Sequence, residues 1–152
     1  MTTGPDHINR HREIRVALPL ERAMHLFTPV GERLWAEGWD PEFPAGQDGD
    51  GSTPGTVFLT ASERGTTYWL VTERGDDYVR YARITPGLWA GIVEVRARKA
   101  DEDSAVADVG YVLTALSDEG RAELRSFENG YNDYIDGWER DIENAMEAGR
   151  IR

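Results

Sequence analysis

Apolar and polar side chains alternate over residues 12–18, with Ile14, Val16 and Leu18 on one face and Glu13 and Arg15 on the other. A period of two marks a half-buried strand, and Pro19 ends it. The period then changes. Leu20, Ala23, Met24 and Phe27 recur at helical spacing and predict a short amphipathic helix. Thr28-Pro29 reads as an N-cap with proline at the first helical position. The second short helix it opens carries Val30, Leu34 and Trp35, and Gly38 closes it. Residues 1–11 are polar and are expected to be a loose N-terminal segment.

Residues 42–55 hold Gly46, Gly49, Gly51 and Gly55, two Pro and several acids, and form the longest expected loop. A loop of that length either covers an opening or connects elements through solvent. Its glycines lack the strand-to-helix setting of a phosphate-binding loop. Five further strands follow at 56–61, 66–72, 78–84, 89–98 and 105–114, separated by short turns that favour hairpins and an antiparallel meander. In the fourth of these, Gly91, Val93, Val95 and Ala97 alternate with Glu94, Arg96 and Arg98. In the fifth, Ala105, Ala107, Val109, Tyr111 and Leu113 share one phase. The small members of these sets either leave room in a hollow or let a helix come close.

Ser117 is the expected N-cap of the last helix, with Asp118 and Glu119 suited to its first turn. Leu124, Phe127, Tyr131, Tyr134, Ile135, Trp138, Ile142 and Met146 then recur three or four apart. This predicts one helix of about 30 residues, roughly 45 Å long, with Gly130 and Gly137 as places for a bend. The fold class is α+β: a curved antiparallel six-stranded sheet, two short helices and one long C-terminal helix. Neither the sheet's hollow nor the helix's apolar stripe is stable in water alone, so each must cover the other.

The chain has 152 residues, no cysteine and a formal net charge of -11. Its length suits a single domain, expected over residues 12–148. The absence of cysteine excludes disulfides, thiolate nucleophiles and cysteine zinc sites. Its acidity opposes binding to nucleic acid and to anionic membranes. No apolar run marks a leader or a membrane span near the start, so a cytoplasmic protein with no membrane insertion is expected. No metal and no cofactor are expected, and the chain is read as a monomer or homodimer.

Five Trp and six Tyr change the picture, because large amphipathic rings wall ligand cavities as well as cores. The candidate wall is Trp35, Trp39, Trp69, Tyr81, Trp89, Tyr111, Phe127, Tyr131, Tyr134 and Trp138, whose phenol and indole groups would orient a ligand's polar end. Arg80 and Arg83 lie in opposite phases of one strand, so one must face the hollow or its mouth. Arg83, near the strand end, is expected to escape to solvent by snorkelling. If buried it would need a carboxylate partner or would recruit an anionic ligand group, and it joins the candidate ligand-binding residues on that ground. His7, His11 and His25 are read as solvated, and Glu73, Glu94 and Asp108 as outward. No catalytic residue stands out.

The order of elements, read with certain local segments, resembles the START-like (SRPBCC) superfamily over almost the whole chain. The segments are Leu26-Phe27-Thr28-Pro29 with Gly31-Glu32 and Trp35, and Gly38-Trp39-Asp40-Pro41. Two more are Tyr68-Trp69-Leu70-Val71-Thr72-Glu73 and the run from Thr114 to Gly120. The resemblance is nearest to bacterial members around the polyketide cyclase/dehydrase branch. It implies a helix-grip fold with a deep cavity between sheet and last helix. The expected function is binding of a small apolar or amphipathic molecule: a lipid, a polyketide or an aromatic compound. The alternatives are a cyclase, dehydratase or hydrolase using the same cavity, and a cavity-less interaction protein resembling a chaperone cofactor.

Overall fold

A computed structural model of the chain describes residues 4–151. Six strands form one antiparallel sheet: β1 (His7–Val16), β2 (Val57–Ser62), β3 (Gly65–Arg74), β4 (Tyr78–Thr85), β5 (Trp89–Asp101) and β6 (Ser104–Ala115). Their order across the sheet is β1-β6-β5-β4-β3-β2. The five later strands thus form the expected meander, and β1 crosses over to close its far edge. Helix α1 (Leu20–His25) packs against β5 and β6, while α2 (Asp118–Asn129) and α3 (Tyr131–Glu147) cover the concave face. The curved sheet gripped by C-terminal helices is a helix-grip fold. No helix among the described residues is long and apolar enough to cross a membrane.

Strand β1 begins at His7, within the segment expected to be loose, and pairs with β6 from His7↔Thr114 to Val16↔Ala105. Ile8, Arg10, Arg12, Ile14 and Val16 share a phase, and the two arginines hid the alternation. Both reach the C-terminal helices. Arg10 donates to the Glu128 carbonyl at 3.0 Å and lies 5.4 Å from the Tyr131 ring centroid. Arg12 grips Asp136 with two hydrogen bonds of 2.7 and 2.9 Å. These contacts turn a polar stretch into the strand that anchors the helices.

The second short helix contracts to a 3-10 turn over Gly31–Leu34. Its N-cap is Val30 and not Thr28, which stands two residues earlier; Thr28 Oγ1 still accepts from the Gly31 N–H at 3.0 Å. The last helix is not continuous: Gly130, at φ -99° and ψ 7°, separates α2 from α3. Glycine costs about 1 kcal/mol in a helix interior, and the break lets the two pieces follow different parts of the sheet. Ser117 is the N-cap of α2; its Oγ accepts from the Gly120 N–H at 3.0 Å and donates to the Gly87 carbonyl at 2.6 Å.

The small residues of the sheet serve close packing. Ala97, Ala105 and Ala107 are buried, and none lines the hollow between sheet and helices. A side chain on Gly91 would run into the Val112 carbonyl. The 42–55 loop likewise leaves the hollow alone. Phe43 folds onto Phe58 at 5.5 Å between centroids, and the chain reaches the cavity before the loop, through Ala36, Glu37, Gly38 and Trp39.

Candidate functional site

Between sheet and helices lies a cavity of about 750 Å³. Trp69, Tyr81, Val93, Val95, Tyr111 and Leu113 make its floor, from β3 to β6. Trp35 and Trp39 close one side, Trp89 another, and Phe127, Tyr134 and Trp138 come from the helices. The rings brace each other: Trp69 stacks on Phe58 at 5.5 Å, and Trp35 meets Trp138 at 5.4 Å.

Tyr131 is a correction to the sequence reading. It is 0% exposed, its hydroxyl donates to the Val109 carbonyl at 2.6 Å, and it does not line the cavity. Helix α3 carries two inward faces rather than one. Tyr131, Ile135 and Ile142 sink into the core, whereas Tyr134, Trp138 and Asp141 border the cavity. A stripe counted along the sequence merges the two.

The polar ends of several rings are also committed. Trp35 Nε1 donates to the Leu26 carbonyl at 2.7 Å, and Trp39 Nε1 to the Pro29 carbonyl at 2.8 Å. Trp69 Nε1 donates to Thr60 Oγ1 at 3.0 Å, and the Tyr81 hydroxyl to the Phe27 carbonyl at 2.7 Å. These four residues therefore offer the cavity apolar surface, not a polar handle. Trp89 Nε1 is buried without a partner, and the Tyr111 hydroxyl neighbours that of Tyr134.

Arg83 does not snorkel out. Its guanidinium lines the cavity, 4.7 Å from the Trp69 ring centroid and 5.9 Å from that of Trp89. Nη2 reaches Thr85 Oγ1 at 3.5 Å, while Nε is buried with no partner. Thr85 in turn shares a 2.6 Å hydrogen bond with Thr67. No carboxylate pairs with Arg83 among the described residues, and burial pulls its pKa below the ordinary value. An arginine remains charged in spite of such a shift. Arg80 faces the other way, within ion-pair distance of Glu73 and Glu94.

Glu32 is the residue that sequence reasoning missed. The 3-10 turn places it beside Trp35, three residues on, and both line the cavity. Burial raises its pKa well above 4.5, and its carboxyl makes no ion pair among the described residues. Burial likewise pushes up the Tyr81 and Tyr111 hydroxyls, with the charge of Glu32 adding to both. The signal was present: a helical count from Trp35 puts Glu32 on the same face.

At the rim stand Glu37, Asp133, Asp141 and Glu123, the last bonded to Arg64 at 2.9 Å. His7, His11 and His25 lie at the surface, and Glu73, Glu94 and Asp108 point away from the hollow as expected. Among the described residues no three His, Asp or Glu side chains gather in a metal-binding arrangement.

No family model matches the sequence, and no curated protein matches it. Solved structures do match. The Mll3558 protein from Rhizobium loti superposes with a TM-score of 0.65 at 13% identity, covering 89% of this chain and 96% of that one. A norcoclaurine synthase point mutant from Thalictrum flavum, bound to a transition-state analogue, gives 0.62 at 12% identity, with 94% and 96% covered. An HSP90 activator from Plasmodium falciparum gives 0.50 at 14% identity, with 68% and 71% covered. These neighbours share the helix-grip architecture of this chain. At such identities the likeness carries the fold and not the chemistry.

Proposed function

We propose that this helix-grip protein binds one small, largely aromatic or otherwise apolar molecule in the cavity between sheet and helices. The observation that carries the reading is the cavity itself: about 750 Å³ walled by indole and phenyl rings. That volume lies within the roughly 300–1,000 Å³ usual for ligand pockets. Rings whose polar atoms are tied to the backbone present rigid apolar faces, so ordering them on binding costs little. An interaction protein with a filled interior would have no such hollow. Lipid, polyketide and aromatic ligands all fit this description, and the braced rings favour the flat aromatic ones.

Native mass spectrometry of the protein from its own cells, run beside a denatured sample, tests the proposal. The expected result is a small-molecule adduct that disappears on denaturation. An empty protein that also fails to bind a neutral aromatic probe would overturn it.

Glu32 favours a second reading, an enzyme on the same cavity. A carboxyl whose pKa is raised by burial is suited to general acid or base work near neutral pH. The cyclase or dehydratase form of the proposal rests on that group. It predicts that Glu32→Gln abolishes turnover while ligand affinity survives; a fully active variant would eliminate it.

A further inference from the structure

Building on the cavity-binding reading, we infer that the ligand carries a carboxylate, and that Arg83 is the residue that recognises it. Aromatic and aliphatic side chains surround Arg83 on the cavity floor, and a cation held in such a place without a counter-ion is costly. Arg83 nevertheless has none. Its one hydrogen bond to a side chain is the 3.5 Å contact with Thr85, which is neutral. Glu32 lies in the same cavity but not within 4.0 Å of the guanidinium, and burial favours its uncharged form. Tyr111 and Tyr134 are close enough for their oxygens to interact with Arg83, yet the Tyr111 phenol stays neutral because burial raises its pKa. The positive charge is left for a ligand to answer.

The surroundings of Arg83 also say what shape that ligand has. Trp69 and Trp89 stand beside the guanidinium and hold it by cation–π attraction. A planar guanidinium presents parallel N–H donors that match the two oxygens of a carboxylate. Trp89 Nε1, also buried and without a partner, adds a second unanswered donor at the same end of the cavity. Two unanswered donors with only neutral oxygens beside them suit an anion. An aromatic ring attached to the carboxylate would lie against the rings of the floor and the helices. The acidic rim opposes entry of an anion, but that effect falls on the rate of arrival, and Arg83 is the charge that the bound ligand meets.

Isothermal titration calorimetry with naphthalene-2-carboxylate and its neutral amide, at neutral pH, tests this. The carboxylate is expected to bind the wild-type protein at least about tenfold more tightly than the amide. Arg83→Met should erase that preference, weakening carboxylate binding at least about tenfold more than amide binding, with circular dichroism confirming the fold. Arg83→Lys should keep part of it, since charge remains while the fork is lost. Arg80→Met, on the outer face, should change nothing. Equal affinities in the wild type, or a preference that survives Arg83→Met, would overturn the assignment of Arg83 while leaving the cavity reading intact. Failure of both probes to bind would overturn the two together. Should Arg83→Met not fold, the wild-type comparison and Arg83→Lys still decide the matter.

Discussion

A carboxyl group taken out of water holds its proton to higher pH, and Glu32 is placed to show this in the stability of the whole protein. In the unfolded chain it ionises near 4.5; in the folded chain burial raises that value well above. Between the two values the folded state binds more protons than the unfolded state. Rising pH therefore erodes the stability that Glu32 allows, while below 4.5 none is lost. Glu32→Gln removes the effect, so its advantage over wild type should grow as pH climbs above 4.5, by at most about 1.4 kcal/mol per pH unit. Urea unfolding of both proteins across the pH range measures it. A constant difference would mean that the carboxyl is solvated in the folded state. Tyr131 illustrates the reverse relation between residue and site, because its hydroxyl and ring are consumed by the core and are not presented to the cavity.

At the scale of elements, the C-terminal helices depend on two glycines for opposite reasons. Gly120, in the first turn of α2, lies so close to the β4–β5 turn that an added Cβ would fall 1.9 Å from the Leu88 carbonyl oxygen. Gly120→Ala must push the helix off the sheet and is expected to cost about 1–3 kcal/mol. Gly130 meets no such obstacle: the nearest atom to an added Cβ is the Ser126 carbonyl oxygen at 3.5 Å. Its φ is negative, so alanine fits and restricts the unfolded chain. Gly130→Ala should therefore raise stability by about 0.4–1 kcal/mol. Thermal or urea unfolding of the two variants separates them, and equal effects would show that close approach at Gly120 and open space at Gly130 do not govern stability. Strand β1 is equally informative, since Arg10 and Arg12 fasten it to α2 and α3 through ion-pair and carbonyl contacts.

Over the whole molecule, a net charge of -11 and the acids at the cavity rim set a field that an anionic ligand must cross. That field reaches about 30 Å at 0.01 M ionic strength and about 8 Å at 0.15 M. Association of naphthalene-2-carboxylate should speed up at least about twofold over that range, whereas the neutral amide should be indifferent. Stopped-flow tryptophan fluorescence follows both, and a carboxylate rate that ignores salt would show that the rim does not govern entry. The rate of entry and the affinity at Arg83 are thus controlled by charges of opposite sign in different places.

What the sequence by itself determined is what depends on neighbours a few residues apart. The alternation of Val93, Val95 and Ala97 fixed the buried face of β5, Ser117 fixed the start of α2, and turn residues between short strands fixed the meander. The wealth of Trp and Tyr raised the expectation of rings that wall a cavity. Tertiary structure decided the rest, because it depends on angles and distances that no local period contains. Whether Tyr131 or Tyr134 borders the hollow follows from how α3 crosses the sheet after the break at Gly130. Arg83 faces inward because it shares the phase of Tyr81 and Thr85 in β4 and its guanidinium lies against Trp69 and Trp89. Glu32 shares a face with Trp35 by local count, but that this face meets the cavity follows from how the 3-10 turn sits against the sheet. Each of these three outcomes is a matter of orientation across the fold, which the order of residues along the chain does not express.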